Sequence, residues 1–396
     1  MNLTRWILLL ALAALLPAPS RAAETAVPFR NLAFDAACAA ATAESKLVFI
    51  DFYTTWCEPC KRLDATTWKD PAVAKLLGEK TVPLKLDAEK ELDLAKRYKI
   101  EAYPTLLLLK PDGTEVERLV GFREAPKFIE EFTAALAGKN TLARAQEAVA
   151  AAGGGESVPS HDAVKARYDL GRTLAQGGDA EGALKEYLWC YDVGMVQVPS
   201  YVGVRSSFLL SSIAQLGRNH PPALAALRER RERAEARMMA ETKDRTAAMD
   251  FASLNKALGE ETRTLAVFDQ LPANDPRRAA LSDMLFDQLV EARRYGDAVL
   301  GSRVKTAASM LEQTAAHKQD MIARVGEAGV KVMMQSSVRS AAKVFEALAG
   351  AGRLDEARAL ADQIMQFDAS DETKTLLQTH ATRAGHPELL TPPAAK

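Results

Sequence analysis

The sequence predicts two unlike parts: an α/β domain with a mixed sheet flanked by helices, followed by an all-α, solenoid-like domain. Two observations carry that expectation. Composition changes near residue 138, where short β-type runs alternating with helical ones give way to helical spacing rich in Ala, Leu, Arg and Glu. At 396 residues the chain is also longer than one ordinary domain. A net charge of -1 supplies no electrostatic reason for nucleic acid or a membrane surface as the main partner.

Residues 1–22 read as a signal peptide. Arg5 supplies the positive start, Trp6 to Leu16 is an apolar run, and Ser20-Arg21-Ala22 offers small residues where a signal peptidase reads. The run is well short of the ~20 apolar residues that span a bilayer, so cleavage is expected over an uncleaved anchor. The expected location is periplasmic or secreted.

The α/β domain is placed at 25–137. Lys46 to Tyr53 is apolar, β-branched and aromatic, hence a buried strand. A helical stretch runs from Cys57 toward Leu77, broken near Asp70-Pro71, where Pro suits the start of a new helix. Val82 to Asp87 is a second strand and Glu91 to Tyr98 a short helix. Thr105 to Lys110 and Glu115 to Val120 are strands joined by the turn Pro111-Asp112-Gly113, and Glu124 to Ala137 closes the domain as a helix. Alternating strands and helices imply parallel pairing, and the hairpin adds antiparallel strands.

Residues 138–160 read as a linker around a short helix, Thr141 to Ala152. The helical repeat region is placed at 161–390. From Tyr168 to Tyr187, the order Leu170-Gly171, Leu174, Gly178-Asp179, Ala183 and Tyr187 resembles the tetratricopeptide pattern, in which a Leu-Gly step lets two helices approach. Weaker echoes surround Arg294 to Asp297 and Gly352 to Asp355, while 200 to 280 matches poorly. The run Arg228 to Arg237 reads as a solvated helix face with opposite charges four apart.

Chemistry concentrates at Trp56-Cys57-Glu58-Pro59-Cys60-Lys61, which follows a buried strand and opens a helix. Free N–H groups and the dipole at a helix N-terminus favour a thiolate, and the thiolate is the species that attacks disulfides. Two intervening residues put the second sulfur one turn away, where it can resolve a mixed disulfide at high effective concentration. Lys61 and Arg62 add positive charge, whereas the Glu58 carboxylate opposes the thiolate.

With that motif, residues 45 to 137 resemble the thioredoxin family. Asp51-Phe52 and the segment through Lys61 match its D-F-x-x-x-W-C-x-P-C-K pattern. Tyr103-Pro104-Thr105-Leu106 is placed like the family's cis-proline loop, and Gly121 like the glycine beside the substrate groove. The resemblance implies Cys57 as attacking thiolate, Cys60 as resolving thiol and buried Asp51 as the acceptor of the Cys60 proton. It implies a substrate-binding surface of Trp56, Pro59, Tyr103, Pro104 and Gly121, with Glu58 and Lys61 tuning the redox balance. Glu58 stands where the family usually has glycine, which argues against a strong oxidant. The family often has a lysine beside the buried Asp; Pro83 occupies the expected position, with Lys85 displaced by two.

No cofactor is called for, and no metal: a zinc site needs two further ligands, and all five histidines lie beyond residue 160 without a second C-x-x-C. Cys38 and Cys190 read as small packing residues, with a bridge between them as the alternative. The expected function is an exported reductase or isomerase of protein disulfides, with a membrane thiol electron donor and a protein partner on the helical repeats. An adaptor whose redox pair is secondary is the alternative reading, and a disulfide-forming oxidase the third.

Overall fold

The computed structural model describes residues 26–153, 159–241 and 243–390, so the expected signal peptide lies outside the described residues. The chain divides into two compact units, residues 1–201 and 202–396.

The first unit is built on strands β1 (Leu47–Tyr53), β2 (Thr81–Asp87), β3 (Thr105–Leu109) and β4 (Glu115–Val120). Their order in the sheet is β2-β1-β3-β4; β1 and β2 are parallel, and the other two pairings antiparallel. This is the mixed sheet that the alternation and the hairpin predict. The Pro111-Asp112-Gly113 turn is closed by Gly113 N–H donating to Lys110 O at 2.9 Å, with Gly113 at φ +84°.

Helices α1 (Phe34–Glu44) and α4 (Leu92–Arg97) cover one face of the sheet; α2 (Glu58–Ala65), α3 (Pro71–Lys80) and α5 (Ala125–Leu136) cover the other. Pleating sorts the side chains. Val48, Ile50 and Phe52 of β1 join Ala37, Ala41 and Ala95, whereas Phe49 joins Leu63, Leu77, Phe128 and Phe132. Asp51 shares the Phe49 face by the same alternation and so lies beneath α2. The break between α2 and α3 has a local cause: Asp70 caps α3 by accepting from the N–H groups of Ala72 and Val73, with Pro71 at the first helical position.

Helix α6 (Thr141–Ala151) packs along β4. Asn140 caps it by accepting from Ala143 N–H and also donates to Val116 O at 3.1 Å, and Thr141 N–H donates to the buried Glu117 carboxylate at 2.8 Å. Helices α7 (His161–Gln176) and α8 (Ala180–Trp189) form a hairpin across Gly178, at φ +83°. Gly171 faces the Tyr187 ring, as the Leu-Gly spacing predicts.

The second unit is helical throughout its described residues. One of its cores gathers Phe286, Phe345, Leu348, Leu360, Ile364 and Leu377. The helix Lys318–Gly350 is interrupted at Gly326, whose φ of +76° is not helical. The Arg228 to Arg237 run differs from its expected role. Arg230 and Arg231 are buried, and Arg231 bonds to Glu260 and Glu232. Within the run, Glu229 and Arg233 pair at 3.6 Å, while Arg228 reaches Glu260 at 3.7 Å. Sequence periodicity shows which residues share a face but not which neighbouring helix covers it. Among the described residues no helix is long and apolar enough to cross a membrane.

Candidate active site

Cys57 is the N-cap of α2, and its Sγ accepts from Cys60 N–H at 3.2 Å. Pro59, in the first turn, has no backbone N–H that would want a partner there. The two cysteines are joined as a disulfide with Cα atoms 5.3 Å apart, both almost fully buried. Cys38 and Cys190 are free thiols, so the alternative bridge between them is absent. Burial pushes the Cys190 thiol up to about 12, which leaves it inert as a nucleophile.

Asp51 is fully buried on the α2 side of β1. Burial raises its carboxyl to about 6, against the pull of the Lys85 charge and a hydrogen bond from Trp68. Trp68 Nε1–H donates to Oδ2 at 3.0 Å, and Lys85 Nζ lies 3.5 Å from the same oxygen. Lys85 also binds Asp64 of α2. The displaced lysine thus does stand beside Asp51, because the parallel register pairs Asp51 with Lys85 and Phe49 with Pro83. Spacing along one strand misplaces this contact; the register sets it.

Around the sulfurs, three segments converge. The exposed Trp56 ring stands edge-on to Tyr103, centroids 5.8 Å apart, and donates from Nε1 to Glu89 at 2.9 Å. The Tyr103–Pro104 bond is cis, and Pro104 O accepts from Gly121 N–H at 2.8 Å. Gly121 holds φ +90°, a region that disfavours any side chain. Next to it Phe122 lies under the Arg62 guanidinium, 4.1 Å from its ring centroid. Glu58 and Lys61, set against each other in the sequence, form an exposed ion pair at 2.5 Å and largely cancel.

Sequence reasoning missed Trp68 and Glu89. A signal for Trp68 existed: a Trp in a polar turn just before a helix that packs on the core needs a partner for its indole N–H once buried. Nothing in the spacing marks Glu89.

Two cysteines one turn apart, at a helix N-terminus and over a buried carboxyl near neutrality, can cycle between dithiol and disulfide and pass a proton. Comparison with known sequences agrees. Residues 34–136 match the family model of the thioredoxin-like domain. Thioredoxin-1 of Drosophila melanogaster is 37% identical over 83 residues, 21% of this chain and 71% of that protein. A thioredoxin of Echinococcus granulosus is 42% identical over 86 residues, 22% of this chain and 76% of its own length. A solution structure of a thioredoxin from Thermus thermophilus is 28% identical, covering 26% of this chain and 84% of that one, with a TM-score of 0.25.

Proposed function

Since the chain belongs to the thioredoxin family and its dithiol makes it a thiol-disulfide oxidoreductase, we propose that it is an exported reductase or isomerase of protein disulfides. One observation carries the reading: Cys57 caps α2 with its sulfur bonded to Cys60, and α2 covers the face of β1 on which Asp51 is buried.

The Cys57 thiolate attacks a client disulfide, forming a mixed disulfide and releasing one client sulfur as thiolate. Cys60 then loses its proton to Asp51 and attacks Cys57 Sγ, breaking the bond to the client. The client gains two electrons and the enzyme disulfide forms. Trp56, Pro59, Tyr103, Pro104 and Gly121 form the surface that receives the client strand, with the Tyr103 backbone pairing with it. Glu58 and Lys61 balance the thiolate between them. Regeneration of the dithiol outside the cytoplasm requires electrons from across the membrane, hence a membrane thiol donor. The helical repeats hold a protein partner or client, a reading supported by the close approach of α7 and α8 at Gly171.

Insulin reduction by the full chain tests the enzyme reading: activity is expected, with loss in Cys57→Ser and a trapped mixed disulfide in Cys60→Ser. An inactive unmodified protein would sink the reading and leave the adaptor alternative. A redox titration gives direction: a potential near ~-120 mV marks an oxidase, while about -200 mV or below marks a reductase.

A further inference from the structure

We infer that Trp68 is a positioning residue for the proton step, holding Oδ2 of Asp51 together with Lys85 so that Oδ1 is the oxygen that receives the Cys60 proton. This rests on the reading of Cys60 as the resolving thiol and deepens it.

The geometry distinguishes the two oxygens. Oδ2 takes the Trp68 indole N–H at 3.0 Å and has the Lys85 ammonium 3.5 Å away, whereas Oδ1 is buried and has no hydrogen-bond partner among the described residues. An indole N–H and an ammonium can only donate. A proton on Oδ2 would therefore face two donors and lose one of them, while a proton on Oδ1 disturbs neither. A buried carboxylate oxygen left unpaired is costly, and the incoming proton relieves that cost.

Trp68 is held independently of this hydrogen bond. Its ring packs edge-on against Phe29, Phe49 and Phe128 with centroids 5.3 to 5.8 Å apart. Its carbonyl accepts from Val27 N–H, and the neighbouring Thr67 hydroxyl donates to Arg123 O. The indole is thus a fixed donor to which the carboxylate conforms. Among the described residues, the charged groups around Asp51 are Lys85 from β2 and Asp64 from α2. From β3 its register partner is Leu106, and the α5 contribution to this face is the aromatic pair Phe128 and Phe132.

In the resolving step Cys60 S–H gives its proton to Oδ1 as its sulfur attacks Cys57 Sγ. The Cys57–client bond breaks, and its electron pair leaves with the client thiolate. That thiolate then takes the proton back from Asp51, so the carboxylate is restored each turnover.

The test is a carbon-13 carboxyl titration of the oxidised full-length chain, with Asp51→Asn identifying the resonance. Trp68→Phe keeps an aromatic ring in place and removes the donor. The Asp51 midpoint is expected to move upward by on the order of one pH unit, and the pH profile of insulin reduction should move the same way. In the unmodified protein the Trp68 indole N–H resonance should shift with the Asp51 midpoint, a measurement that needs no variant. An indole resonance that stays flat through the Asp51 titration, or an unmoved midpoint in a folded Trp68→Phe protein, overturns the inference. Because the titration is read on the oxidised protein, it decides the role of Trp68 even if insulin reduction fails and the dithiol reading falls.

Discussion

Gly171 of α7 lies against Tyr187 of α8 so closely that an added Cβ would meet the ring carbons Cε1 and Cδ1 at 2.7 and 2.8 Å. Two effects of Gly171→Ala oppose each other. Helix propensity favours Ala by about 1 kcal/mol, but Tyr187 is buried and cannot retreat, and overpacking costs typically 1–3 kcal/mol. The clash wins. Gly171→Ala should lower the stability of the first unit by about 1 kcal/mol net, read as faster amide exchange in α7 and α8. Adding Tyr187→Leu should recover part of the loss; equal exchange in the single and double variants would refute the packing argument.

Asp51 destabilises its own fold at neutral pH. Its carboxyl is raised to about 6 by burial, above the unfolded value of about 3.9. The folded state therefore holds the proton more tightly, and the stability linked to it is present at low pH and lost as pH rises through about 6. Asp51→Asn should stabilise the sheet by on the order of 2 kcal/mol at alkaline pH and by little below about pH 4. Lys85 keeps Asp64 as a partner in that variant. Urea denaturation followed through sheet amides at both pH values measures the difference; a gain independent of pH would contradict it.

Glu346 has the opposite sign. Burial alone would push its carboxyl up. Hydrogen bonds from His380 and Tyr295 and the Arg383 charge outweigh burial and hold it below the ordinary range. A depressed carboxyl contributes stability that is present above the unfolded pKa and lost as pH falls through the folded value. Glu346→Ala should cost the second unit about 3 kcal/mol near neutrality, the scale for breaking a buried ion pair. Limited proteolysis of the helical unit should show the variant cleaved faster at neutral pH, with the gap narrowing in acid.

Glu58 and Lys61 should compensate each other. Lys61→Gln leaves Glu58 unopposed beside the α2 N-terminus and should raise the Cys57 thiol pKa, while Glu58→Gln should lower it. The double variant should fall close to the unmodified protein. Thiolate absorbance against pH measures all four; a double variant that matches either single one would show that the two charges do not offset each other at Cys57.

Much of the sheet and of the local geometry at the candidate site was legible because local signals agree there. The strand Leu47–Tyr53, the capping position of Cys57 and the turn at Gly113 each follow from nearby residues, and the cis peptide at Pro104 lies where the family resemblance puts it. What escaped depends on partners far along the chain. The Asp51–Lys85 contact needs the register of two parallel strands, and the bond from Trp68 to Asp51 needs the turn that swings an indole under the sheet. Charge misleads for a related reason: Glu117, Arg231 and Glu346 look like solvated residues in the sequence, yet each is buried among partners from other helices or strands.

The rims of the sheet carry one more consequence. Strand β2 has Pro83 as its third residue, whose carbonyl takes the Arg30 N–H at 2.8 Å, and the Val116 carbonyl of β4 is taken by Asn140. Neither border offers a bare, continuous row of backbone donors and acceptors, which is the template from which edge-to-edge aggregation grows. The sheet is thereby guarded against recruiting an extended chain as an extra strand, and removal of Asn140 and α6 would reopen one border to that hazard.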